Sequence, residues 1–71
     1  MNNGTNEHAE LRRRYEALRQ EHREMDERIR ELTARSYLTP DDQMEIARLK
    51  KLKLRKKEEL TAVASELGME D

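Results

Sequence analysis

His22 and Asp26, one helical turn apart in this 71-residue chain, are side chains whose types and spacing could do chemistry. An imidazole that titrates near neutral pH, beside a carboxylate, could form a pH-sensitive or partner-reading polar layer. The same histidine, in the middle of an otherwise apolar stripe, could equally be a polar contact that fixes the register of two paired helices. His8 stands two heptads earlier, ~21 Å away along a helix that rises 1.5 Å per residue, so the two imidazoles cannot share a metal. We expect no metal site and no cofactor. A nucleophilic mechanism needs a hydroxyl or thiol held by a base. Cysteine is absent, and the hydroxyls of Thr5, Thr33, Ser36, Thr39, Thr61 and Ser65 fall in tails, caps or helix surfaces. Enzymatic activity is not expected.

The densest charge lies in Arg48-Leu49-Lys50-Lys51-Leu52-Lys53-Leu54-Arg55-Lys56-Lys57, with seven cations in ten residues and no acid. Such a run can neutralise phosphates and give salt-sensitive nucleic-acid binding. At 100° per residue these cations spread around most of a helix, and only Arg48, Lys51 and Arg55 make an outward stripe. The formal net charge is −1, with 15 Lys and Arg against 16 Asp and Glu. A solvated face that complements an acidic neighbouring helix is therefore the simpler reading.

These residues need elements to position them. The chain is 44% charged and 34% hydrophobic, with only Tyr15 and Tyr37 as aromatics. That composition suits long helices more than a thick globular core. Balanced charge and regular apolar spacing argue for folding over disorder. No apolar run reaches the ~20 residues that span a bilayer, and the polar start resembles no signal peptide. We expect a cytoplasmic protein with no membrane partner.

Leu11, Tyr15, Leu18, His22, Met25, Ile29 and Leu32 recur at alternating four- and three-residue steps. This 3.5-residue rhythm keeps one helix face turned toward a partner helix. The spacing predicts a tail over 1–5, a helix over 6–35 with Thr5 or Asn6 as N-cap, and a turn over 36–39. Glu10/Arg14, Glu24/Arg28 and Glu31/Arg35 would support the first helix as i,i+4 pairs, each worth ~0.2–0.5 kcal/mol. A second helix is expected over 40–67, with Thr39 as N-cap, Pro40 at its first position and Asp41 and Asp42 in its first turn. Gly68 should end it, with 68–71 frayed.

The second helix carries its own stripe of Ile46, Leu49, Leu52, Leu60, Val63 and Leu67. A short turn makes the antiparallel hairpin the default, with facing residue numbers adding to roughly 75. That register sets Glu21, Glu24, Asp26 and Glu27 beside the basic run, and Arg12, Arg13 and Arg14 near Glu58, Glu59 and Glu66. Antiparallel pairing thus avoids like charges.

The stretches carrying His22, Asp26, Ile29 and Leu32, and then Glu45, Ile46, Leu49, Lys50, Lys51, Lys53, Leu54, Lys57, Glu58 and Glu59, resemble the YdcH-like family of small bacterial proteins. Glu58 stands where that family tends to carry Asp. The family is a domain of unknown function, and the resemblance implies a self-associating helical hairpin with no established activity. We therefore expect an all-α antiparallel two-helix hairpin, coiled-coil-like, that dimerises into a four-helix bundle and acts as a protein–protein interaction or adaptor module. Nucleic-acid binding through Arg48, Lys51 and Arg55 is the alternative.

Overall fold

The computed structural model describes the backbone of residues 3–69 and the side chains of residues 8–69. It contains two helices, α1 (Asn3–Thr33) and α2 (Pro40–Leu67), packed along each other as an antiparallel hairpin. The molecule is a rod of 57 × 18 × 18 Å.

The turn is written in side chains. Thr39 has the extended backbone of an N-cap (φ −72°, ψ 162°), and Pro40 opens the helix where its missing N–H costs nothing. The Thr39 hydroxyl accepts from the Asp42 backbone N–H at 3.0 Å, and the Thr39 N–H donates to the Asp42 carboxylate at 3.1 Å. This reciprocal box satisfies two donors that helix ends otherwise leave unpaired. Replacing Thr39 with Ala should lower stability by about 1 kcal/mol in urea denaturation. Thr39→Ser, which keeps the hydroxyl, should recover most of that loss.

α1 begins at Asn3, ahead of the expected start at 6, and the N-caps expected at Thr5 or Asn6 lie inside the helix. Gly4 does not break it, because a first-turn residue has little helical bonding to lose. Residues 1–2 of the expected tail lie outside the described residues. The helix ends at Thr33, two residues before the expected 35. There the Thr33 hydroxyl donates to the Ile29 and Arg30 carbonyls at 2.9 and 3.2 Å. The Arg35 N–H turns back to the Leu32 carbonyl at 3.3 Å, an i to i−3 bond that tightens the last turn. α2 ends where Gly68 takes the left-handed conformation at φ 75°. The Met69 N–H then reaches the Ala64 carbonyl at 2.8 Å. A side chain at Gly68 would meet no neighbour, so the glycine is there for its backbone freedom.

The core is one line of side chains between the helices. Leu18, Ile29, Leu32, Ile46 and Val63 are buried, and Leu32 is fully so. Leu11, Tyr15, His22, Met25, Leu49, Leu52, Leu60 and Leu67 are half-buried along the same seam. Between Leu49 and Leu60 the α2 line passes through Lys53 and Lys56, whose half-buried stems take the place of apolar side chains. The seam is thus apolar toward both ends and polar in the middle.

Candidate functional site

The two long flanks of the rod differ in how their charges are arranged. On one flank Arg14, Glu21 and Arg28 follow each other at seven-residue intervals, which places them on one line beside the seam, and Arg35 stands seven residues on, just past the end of α1. Each meets a residue of α2. Arg14 lies 3.6 Å from Glu59, Glu21 3.0 Å from Lys56, Arg28 3.1 Å from Glu45 and Arg35 2.9 Å from Asp42. The Glu21 carboxylate holds the Lys56 ammonium above its ordinary pKa. Hydrogen bonds from Arg28 to Glu45, and then to Glu31, raise the guanidinium further. Asp42 is held below the usual carboxylate range, first by the Thr39 backbone N–H and also by Arg35. An open groove on this flank is lined by Glu21, Glu24, Met25, Arg28, Leu49 and Lys56.

These cross-links replace the expected local pairs. Glu10 bonds Arg13 at i,i+3 and leaves Arg14 to reach α2. Glu24 accepts from Gln20, so Arg28 turns to Glu45 and Glu31. Arg35 serves Asp42 instead of Glu31. A long guanidinium at the edge of the seam has two neighbours to choose from, and i,i+4 spacing along one helix shows only one of them. The signal that could have found these pairs is the seven-residue interval itself, read against the facing helix.

On the opposite flank one carboxylate gathers two cations. Asp26 lies 2.5 Å from Lys53 across the seam and 2.7 Å from Arg30 on its own helix. The Lys53 hydrogen bond, aided by the charge of Arg30, holds Asp26 below the ordinary carboxylate range. His22 lines a groove here with Tyr15, Arg19, Arg23, Asp26 and Leu60. Asp26 spends its two oxygens on Lys53 and Arg30, so the carboxylate beside His22 is already occupied. Next along the rod, Arg12, Tyr15, Glu16 and Met69 line a further groove.

The basic run divides between these settings. Lys53 and Lys56 are half-buried and ion-paired, whereas Arg48, Lys51 and Arg55 are exposed on the outer face of α2. Beside them Met44 and Leu54 are 62% and 58% exposed. Among the described residues no group of three or more His, Cys, Asp and Glu side chains could hold a metal ion. None of their buried side-chain polar atoms lacks a hydrogen-bond partner. No helix among them is long and apolar enough to cross a membrane.

The described residues therefore form a two-helix all-α hairpin clasped by ion pairs. The chain belongs to the family described as protein of unknown function (DUF465), whose model matches residues 15–63. This agrees with the YdcH-like resemblance, and the matched span runs from Tyr15 through the turn to Val63. No curated protein and no solved structure matches the chain.

Proposed function

We propose that this protein is a non-catalytic assembly module whose hairpin pairs with a second copy to form a four-helix bundle. The supporting observation is the incomplete cover of its apolar seam. Among the described residues five apolar side chains are buried, while Leu49, Leu52 and Leu60 are half-buried and Met44 and Leu54 face outward. A chain of this size gains little from so thin a core, and association is a common way for small helical scaffolds to complete one. Sedimentation equilibrium over a wide concentration range at two salt concentrations tests this. Dimers that persist at high salt support burial of the apolar flank. A species that stays helical and monomeric throughout overturns the reading, and would turn the search to another protein's helix docking on Leu52, Leu54 and Leu60.

A second reading, as a nucleic-acid-binding accessory protein, draws support from the exposed and unpaired Arg48, Lys51 and Arg55 among the described residues. Its test is charge reversal at Arg55 with binding read at low salt.

A further inference from the structure

We infer that the flank carrying Asp26, and not the outer face of α2, is a contact surface for a single-stranded nucleic acid whose phosphates run between two rails of cations. This goes beyond the self-association reading and stands independently of it; it relocates the nucleic-acid reading to a different surface.

The first rail is on α1. Arg12, Arg19 and Arg23 are exposed and take part in no ion pair among the described residues. Arg19 and Arg23 line one groove with Tyr15, and Arg12 lines another with the same tyrosine, so the three cations border two grooves that share Tyr15. From Arg12 to Arg23 the rail is roughly 16 Å long at 1.5 Å per residue. The second rail is on α2. Lys53 reaches Asp26 on this flank, and Lys50 and Lys57 lie within about 60° of it around a helix of 3.6 residues per turn. Both are exposed and unpaired among the described residues. Packed helices set the two rails about 8–10 Å apart at their axes.

Charge on this flank is one-sided where the opposite flank is balanced. The acids that line its two grooves are Glu16 and Asp26, and Asp26 is already shared by Lys53 and Arg30. The whole chain is near neutral, so the five free cations result from placing most paired acids on the other side. Tyr15 lines both grooves, with the Arg19 guanidinium 5.9 Å from its ring centroid. A cationic track with an aromatic ring beside it suits an unpaired strand, whose bases have open faces to stack. A duplex is a poorer fit, because its major groove of ~12 Å admits one helix and this rod is 18 Å across. Lipid insertion calls for a continuous exposed apolar face, and here the edges are charged.

The experiment is fluorescence anisotropy with a labelled oligouridylate longer than the ~4–16 nucleotides such tracks cover. The full chain is titrated at low salt and then at rising salt. Binding should weaken with salt, by a slope of about 0.7 per phosphate neutralised. The double variant Arg19→Glu, Lys57→Glu should lose at least about tenfold in affinity, while Arg48→Glu, Arg55→Glu, an equal change in total charge, should lose under about threefold. Circular dichroism checks that each variant is folded; should the first reversal unfold the chain, Arg19→Gln, Lys57→Gln decides in its place by the same comparison. Absence of binding at low salt overturns the inference. So does an equal loss from the outer-face pair, or tighter binding of a duplex of matched length.

Discussion

Leu32→Asp should abolish cooperative unfolding and most of the helical circular dichroism signal at room temperature. Leu32 is 0% exposed, so no rotamer lets a carboxylate reach water. Removing the leucine alone costs about 2–5 kcal/mol. The charge adds a further penalty, because no buried side chain among the described residues is polar or charged. A chain of this size has roughly 4–11 kcal/mol in all at ~0.05–0.15 kcal/mol per residue, so the substitution consumes most of its stability. Leu18→Asp should act in the same way from the middle of α1. Tyr37→Ser, at a turn residue exposed to solvent, serves as the control and should stay within about 0.5 kcal/mol of the parent. A full helical signal from either aspartate variant would remove the seam as the source of stability.

Acid should loosen the hairpin through Asp26 and Asp42. Both carboxyls are held below their ordinary range in the folded chain, Asp26 by Lys53 and Asp42 by the Thr39 N–H. A carboxyl whose folded pKa is depressed favours the folded state at every pH above its unfolded value of about 3.9. That contribution is lost as pH falls through the lower, folded value. Melting temperature should therefore be flat from pH 7 to about 5 on account of these groups, and then drop. The decisive comparison is with the Asp26→Asn, Asp42→Asn double variant. It should melt well below the parent at pH 7, with the gap closing as pH falls below about 4. A gap that stays constant down to the lowest pH would show that the two side chains matter for shape and not for charge.

Much of this architecture was legible in residue spacing. The alternating steps from Leu11 to Leu32 mark the face that supplies Leu18, Ile29 and Leu32 to the core. Thr39-Pro40-Asp41-Asp42 marks the start of α2, because the cap, the proline and the acids all act locally. Among the described residues the ion pairs that reach α2 from α1 and from the turn bracket the facing sum of about 75 that hairpin geometry gives. What spacing along one helix could not show is which neighbour a long side chain prefers. Arg14 and Arg35 each pass over a local acid for one on α2, and Arg28 divides its guanidinium between Glu45 on α2 and Glu31 on its own helix. The division of the surface into a paired flank and a cationic flank follows from those choices. It emerges only once both helices are in place, and the basic run therefore reads in sequence as a feature of α2 alone.

The short turn that joins the helices at one end of the rod imposes an order on folding. Every contact between the helices spans the same short connection, so bringing Leu32 and Ile46 together closes a loop of about a dozen residues at little entropic cost. Each further layer toward Leu11 and Leu67 then adds to a zipper already begun. Unzipping runs the other way, from the opposite end of the rod, where Leu11 and Leu67 are half-buried, toward the capped turn. Amide protons should consequently exchange in a gradient along the rod, with the slowest in the helical turns around Ile29 and Ile46 and the fastest at the ends.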